Sequence, residues 1–167
     1  VIGEVLKAYP KDVRHVFKHF PLSFHPLARP GAKAILAAGE QGKYFEMLDA
    51  LYAIDQDALR DIQKAPKDEQ VKKFEDLLEK IAKDLKLNVK KFMKDYKEKD
   101  AEWEKIIGQD VATAGQVMVR GTPTFFINGR VTRARTLEQF KQEIDEILKG
   151  ETPVPVAVNK PTQGVPR

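Results

Sequence analysis

The chain has 167 residues, of which 42% are hydrophobic and 32% charged, a length and balance that can bury a core and that predict one domain. Lysine and arginine total 29 against 25 for aspartate and glutamate, so the net charge of +4 does not predict a nucleic-acid partner. The sequence contains no cysteine, which excludes disulfides, thiolate metal sites and cysteine nucleophiles within these residues. No run approaches the roughly 18 to 20 apolar residues of a membrane span.

The beginning of the chain predicts a helix followed by a strand. Residues 1–9 place apolar side chains at helical spacing as far as Pro10, which predicts the back half of a helix. Val13 to Phe20 has branched and aromatic residues on both faces and ends at Pro21, a pattern typical of a strand in the interior of a sheet. The two segments together indicate an α/β unit.

The middle of the chain, from Pro30 to about Gln116, predicts helices alone. The clearest apolar stripe runs from Val71 to Leu85, with lysine, aspartate and glutamate on the opposite face. Asn88 is placed to cap a further helix, and Trp103 on the next helix is expected to be a core anchor. About four helices without a strand predict a helical insertion or subdomain.

A β-hairpin and a final helix are predicted after this block. Strands over Thr124 to Ile127 and Arg130 to Arg133 flank Asn128-Gly129, a dipeptide that favours a two-residue hairpin turn because both of its residues tolerate positive φ. Thr136 to Gln139 matches a capping box, and one apolar face continues from there to Gly150. Residues 151–167 contain four prolines and no helical period, which indicates an extended tail or linker.

Four segments, taken in order, resemble the DsbA-like branch of the thioredoxin superfamily. They are Tyr9 to Leu22, Phe24 to Pro26, Ala37 to Met47, and Gly121 to Gly129. The resemblance implies an α/β fold in which a helical subdomain is inserted into a thioredoxin-like fold. The expected parts are the C-terminal part of the first thioredoxin helix and the following strand in 1–29, the helical insertion in 30–116, the cis-proline loop, hairpin and C-terminal helix in 117–150, and a proline-rich tail or linker in 151–167.

Members of this branch open with a strand and a Cys-x-x-Cys pair at the start of the first helix. Val1 to Tyr9 resembles the part of that helix just after the second cysteine, so the fold is expected to be N-terminally incomplete here. The resemblance implies a thiol-disulfide oxidoreductase that is inactive as given, with no catalytic residue, cofactor or metal in this chain. The alternative is a non-redox module that binds peptides or supports assembly. A periplasmic or other extracytoplasmic location is implied for the branch.

By the same resemblance, substrate binding is assigned to Gly121, Thr122, Pro123 and Thr124. The Thr122–Pro123 peptide bond is expected to be cis, with Thr122 contacting an extended polypeptide substrate. Without the first strand, the edge of Val13 to Phe20 would leave backbone groups unpaired. We therefore expect self-association, fragment complementation or altered packing to cover that edge.

The three histidines do not predict a metal site. His15 and His19 are four residues apart on the predicted strand, which separates them by about 13 Å along its axis, too far for two ligands of one ion. Neutral, hydrogen-bonded histidines at the edge of the sheet are expected instead, with His25 in a loop.

Overall fold

The computed structural model describes residues 1–150, and the tail predicted over residues 151–167 lies outside the described residues. The described residues divide into two compact units, one made of residues 1–17 with residues 121–150 and the other of Lys18–Arg120. The described residues form eight α-helices and one two-stranded sheet. Within this part of the chain, no helix has the length and apolar composition that crossing a membrane requires.

Within residues 1–150, the first unit contains four regular elements. They are α1 (Ile2–Ala8), β1 (Phe125–Ile127), β2 (Arg130–Thr132) and α8 (Leu137–Leu148). The helix predicted before Pro10 is confirmed, and α1 packs against α8. Tyr9, just after α1, donates its hydroxyl to Asp145 Oδ1 of α8 over 2.6 Å, and this hydrogen bond raises the pKa of Tyr9 to about 12.

A small hydrophobic core holds the first unit together. Its buried members come from α1 and the residue that follows it, from α8, and from the segment between β2 and α8. The inward residues of β1 pack against them. The buried residues are Val5, Tyr9, Ala134, Phe140 and Ile144. The hairpin therefore covers one side of α8 with one face of its sheet.

Local sequence signals determine the hairpin and the final helix as predicted. Asn128 and Gly129 have φ values of 47° and 79°, so both turn residues are in the left-handed region that a type I′ turn requires. The strands pair antiparallel, with Phe126 opposite Val131. The capping box at the start of α8 forms between Thr136 and Gln139, which satisfies backbone groups at the helix end.

The strand predicted over Val13 to Phe20 is wrong, because the structure assigns no strand to these residues. A strand is defined by ladder hydrogen bonds to a neighbour, and the sheet among residues 1–150 contains β1 and β2 alone. Exposure alternates along the segment, and the exposed fraction is 59% for Val16 but 3% for His19. The segment is therefore covered on one side, and the interior position with both faces buried is not observed.

The second unit consists of six helices, where about four were predicted. They are α2 (Ala28–Gly39), α3 (Tyr44–Tyr52), α4 (Gln56–Lys64), α5 (Lys67–Asp84), α6 (Val89–Glu98) and α7 (Asp100–Gln116). The prediction missed α4, a nine-residue helix in which Ile62 is the buried residue. Its start is marked by Asp55, whose carboxylate accepts a hydrogen bond from the Asp57 amide over 2.6 Å.

The core of the second unit is built on α2, whose small residues let neighbouring helices approach closely. Ala34, Ala37 and Ala38 are fully buried, and α2 contacts α3, α6 and α7. The prediction that Trp103 anchors the core is confirmed. Its ring is 2% exposed, and its indole N–H donates to the Asp95 carbonyl over 3.0 Å.

Candidate functional site

The loop Gly121 to Thr124 connects directly to β1 in the first unit. The Thr122–Pro123 bond is cis, as expected, and both of these residues are exposed. The Thr124 side chain instead turns back, and its hydroxyl donates to the Gly121 carbonyl over 2.7 Å. One hydrogen bond thus closes the loop, and the Thr122 and Pro123 side chains are exposed.

The residues of β1 divide between the two faces of the hairpin. Phe125 and Ile127 pack on the core, whereas Phe126 is 39% exposed and its cross-strand neighbour Val131 is 60% exposed. The loop therefore continues into a strand whose outer face carries a small exposed apolar pair. Such a pair suits contact with the apolar side chains of another polypeptide.

The opposite face of the hairpin is fixed to α8. Phe125 meets Phe140 edge to face, with ring centroids 5.2 Å apart. Thr132 is buried, and its hydroxyl donates to Glu143 Oε1 over 2.7 Å while accepting from the Ala134 amide over 2.9 Å. These contacts position the outer face and the loop on a rigid support.

Arginines lie in the hairpin and in the segment that follows it. No aspartate or glutamate occurs from residue 121 to residue 137, a stretch that includes Arg130, Arg133 and Arg135. The guanidinium of Arg135 lies 5.5 Å from the centroid of the Phe125 ring and donates to the Ala134 carbonyl over 2.8 Å. The sequence contained this charge pattern, but our interpretation of it did not include a binding role.

The described surroundings of the histidines give no indication of a metal site. Among residues 1–150, no group of three or more histidine, cysteine, aspartate or glutamate side chains is positioned to hold a metal ion. In the second unit, His19 Nε2 lies 2.8 Å from the Tyr44 hydroxyl, so the expected hydrogen bond is present for this histidine. Burial lowers the pKa of His19, and the nearby Asp110 carboxylate opposes that shift.

Asp110 organises the surroundings of His19 and was not predicted to do so. Asp110 is only 7% exposed. Its carboxylate accepts hydrogen bonds from Lys18 Nζ over 2.7 Å and from the His19 amide over 2.9 Å. The available signal was its position three residues after the buried Ile107, within the apolar face of α7. A carboxylate at such a position needs partners, and this one has them in the described structure.

The sequence profile of the family described as Thioredoxin matches residues 1–146. The chain belongs to the thioredoxin family. This membership fits the order of a helix, a Gly-Thr-Pro loop, a hairpin and a final helix. No solved structure matches the chain. The absence of cysteine from the sequence means that these residues supply the thioredoxin fold without its thiol chemistry.

Curated relatives of this thioredoxin-family chain carry the name of a cation transporter. The chain is 38% identical over 130 residues to Na+/H+ antiporter NhaA 3 of Salinispora tropica. That alignment spans 77% of this chain and 17% of that protein. Na+/H+ antiporter NhaA 1 of Salinispora arenicola is 37% identical over 120 residues, or 71% of this chain and 16% of that protein. The chain thus spans about one sixth of the length of these relatives.

The hydrogen bond inside the loop gives a test of how the site is held. We expect Thr124→Val to destabilise the hairpin by about 1 kcal/mol, because the Gly121 carbonyl loses its donor. Thr122→Val is the matched control and should change stability by less than about 0.5 kcal/mol, since that side chain is exposed. The exchange rates of hairpin amide hydrogens measure both. Equal effects of the two substitutions would contradict this account of the loop.

The pKa of His19 predicts a pH-dependent stability for the second unit. The folded-state pKa is lowered from 6.5, so the unfolded chain binds a proton more readily than the folded chain does. The free energy of unfolding should therefore be fully retained above about pH 6.5 and should fall as the pH decreases below it. Urea titrations followed by the fluorescence of buried Trp103 measure this dependence. His19→Gln should flatten it, whereas the same substitution at exposed His25 should leave the fall in place.

Proposed function

We propose that this chain is the polypeptide-binding part of a thioredoxin-family protein of the DsbA-like branch, whose partner reaction is thiol-disulfide exchange. The loop Gly121 to Thr124, together with β1, contacts an extended segment of the partner. The observation that carries the proposal is the exposed Thr122–Pro123 pair at the end of an open strand, in a chain of this family. Extended peptides are commonly recognised by strands that retain free backbone groups.

The chemistry of this proposal separates binding from reaction. Thiol-disulfide exchange requires a thiolate that attacks a disulfide sulfur, and none of the 167 residues is a cysteine. A thiolate must therefore come from outside this stretch, while these residues position the substrate without forming a bond to it. The alternative is a non-redox binding or assembly module, which would use the same surface. An insulin-reduction assay on the full-length natural product separates the two hypotheses, since only the first gives turnover.

Binding by the isolated chain can be measured with an unfolded probe that lacks free thiols. We expect carboxamidomethylated insulin B chain to shift the amide resonances of the Gly121 to Ile127 segment in NMR titrations. Thr122→Tyr places a bulky ring over the loop and should weaken binding at least about tenfold, or about 1.4 kcal/mol. The matched control is Thr113→Tyr, at an exposed position of α7, which should leave the affinity within about twofold.

Two results would overturn the proposal. One is the absence of any binding by the alkylated B chain at millimolar concentration. The other is binding that Thr122→Tyr and Thr113→Tyr weaken equally, because the loop would then have no special role. The unmodified chain should not accelerate insulin reduction by dithiothreitol, since it has no cysteine.

A second candidate function comes from the relatives. The similar proteins named above are Na+/H+ antiporters in which a segment like this one is a minor part of the length. This favours a chain that acts as a thioredoxin domain attached to, or assembled with, a membrane cation antiporter. We place such a domain on the extracytoplasmic side, because disulfide chemistry of the DsbA-like branch belongs to oxidising compartments.

The antiporter hypothesis predicts where the native protein is found. An antibody raised against this chain should detect a membrane-bound species several times larger than 18.9 kDa in the source cells. Protease added to intact spheroplasts should remove the epitope, because the domain would face outward. A protein of the mass of this chain alone that stays in the supernatant after ultracentrifugation would contradict the hypothesis.

A further inference from the structure

The corner between α5 and α6, in the second unit, carries the positive charge of the chain. This stretch, residues 80–94, is the lysine corner, and it contains six lysines and one aspartate, which gives a net charge of +5. Since the whole chain has a net charge of +4, its other residues together carry −1. The lysine corner contains no arginine. The six lysines are Lys80, Lys83, Lys86, Lys90, Lys91 and Lys94.

Ion pairs within α6 involve two of these lysines. Lys91 pairs with Asp95, and Lys94 Nζ lies 3.8 Å from Glu98 Oε2, each partner being four residues further along the helix. The other four lysines are exposed and have no ion pair among residues 1–150, namely Lys80, Lys83, Lys86 and Lys90. The lysine corner therefore presents ammonium groups that the described part of the chain does not neutralise.

Hydrogen bonds and burial fix the backbone of the lysine corner. Leu87 is buried, and the Gln41 side chain forms two hydrogen bonds with the backbone of the next residue. Its carbonyl accepts from the Asn88 amide over 2.9 Å, and its amide group donates to the Asn88 carbonyl over 3.2 Å. The Asn88 side chain in turn accepts from the Lys91 amide over 3.0 Å and caps α6. The lysines on both sides of Leu87 therefore project from a fixed backbone.

The conformation of Lys86 is unfavourable for a lysine. Its φ is 59°, in the left-handed region. The Lys86 amide donates to the Lys83 carbonyl and the Leu87 amide to the Ala82 carbonyl, both over 2.9 Å, which is the hydrogen-bond pattern of a Schellman motif. Glycine is the usual residue at this position, because a side chain there brings Cβ too close to the following carbonyl oxygen. The stability of the helix end therefore does not explain a lysine.

The position of Lys90 is also unfavourable for a positive charge. Lys90 is the second residue of α6, and the first turn of that helix contains no acidic residue. The helix dipole places partial positive charge at this end, so a lysine there is repelled. Lys83 differs, because it lies in the last turn of α5, where the dipole favours a cation. Residues that oppose local stability without a structural gain are expected at functional surfaces.

We propose that the lysine corner contacts the anionic head groups of a phospholipid bilayer. A lysine ammonium is a compact, hydrated point charge that suits attraction to many phosphates, whereas bidentate recognition of one carboxylate favours arginine. The choice of a bilayer over an acidic protein rests on the second candidate function, in which the chain is joined to a membrane antiporter. The inference goes beyond that function, since it assigns the chain a membrane-contacting surface of its own.

Sedimentation with sucrose-loaded vesicles tests the proposal on the intact chain. Vesicles of phosphatidylcholine with about one third phosphatidylglycerol should bind at least about tenfold more tightly than phosphatidylcholine alone at low salt, because each lysine near an anionic surface contributes about fivefold. The difference should disappear near about 0.5 M salt, where the charges are screened beyond about 4 Å.

Substitutions of the two unfavourably placed lysines separate binding from folding. Lys86→Gly should weaken binding to the phosphatidylglycerol vesicles at least about threefold. The same variant should raise the urea midpoint of unfolding, because glycine adopts positive φ without strain. A lysine retained for stability would give the opposite change in the midpoint. Lys90→Gln should weaken binding to a similar extent without lowering the midpoint.

Two further variants control for net charge. Lys105→Gln is the matched control, since Lys105 is an exposed lysine of α7 without an ion pair among residues 1–150. It removes the same charge and should change the affinity for the vesicles by less than about twofold. Asp84→Asn removes the single carboxylate of the lysine corner and should strengthen binding.

The outcomes separate this inference from the function on which it rests. Equal binding to the two kinds of vesicle, or equal losses for Lys86→Gly and Lys105→Gln, would overturn the inference. Binding of soluble polyglutamate without binding to vesicles would replace the bilayer with an acidic protein. Neither result affects the antiporter hypothesis, which the size and membrane attachment of the native protein decide. If that hypothesis fails while the vesicles still bind through Lys86 and Lys90, the surface remains assigned.

Discussion

The edge-to-face contact between Phe125 and Phe140, at 5.2 Å between ring centroids, is the interaction on which the candidate site depends. A hairpin of two three-residue strands is marginally stable by itself in water. Here the inward residues of β1 pack on α8, and Thr132 bonds to Glu143 of the same helix. Once one face is held in this way, the other face and the preceding loop are displayed in a fixed geometry. Among residues 1–150, β1 pairs with β2 alone.

Elements with local signals could be predicted from the sequence. The type I′ turn followed from Asn128-Gly129, and the capping box followed from Thr136 and Gln139, since the interactions that form them lie within a few residues. The strand over Val13 to Phe20 could not be predicted in the same way. A strand needs a neighbour that supplies hydrogen bonds, and the sequence of one segment does not contain its neighbour. The nine-residue α4 was missed although its few apolar residues, among them the buried Ile62, follow a helical period.

The candidate site was predictable to a similar extent. The positions of Gly121 to Thr124 came from the family resemblance, whereas the hydrogen bond from Thr124 to Gly121 could be seen only in the structure. The arginines and the gap in acidic residues were visible in the sequence. Which hairpin residues share the exposed face could be read only from the register, which pairs Phe126 with Val131. The contacts of Asp110 could be recognised only from the fold, because Lys18 and His19 lie about ninety residues away in sequence.

For the proposed exchange reaction, weak binding of the partner polypeptide is more suitable than strong binding. Each backbone hydrogen bond to an extended partner contributes about 0.5 to 1.5 kcal/mol, so a complex that uses a few of them should be weak. Weak binding is an advantage when the partner must leave after its disulfide has reacted. Strong binding of substrate and transition state alike lowers KM without raising kcat. In the proposed reaction, a thiolate from outside these residues would supply the reactivity, and these residues would orient the partner and so raise its effective concentration.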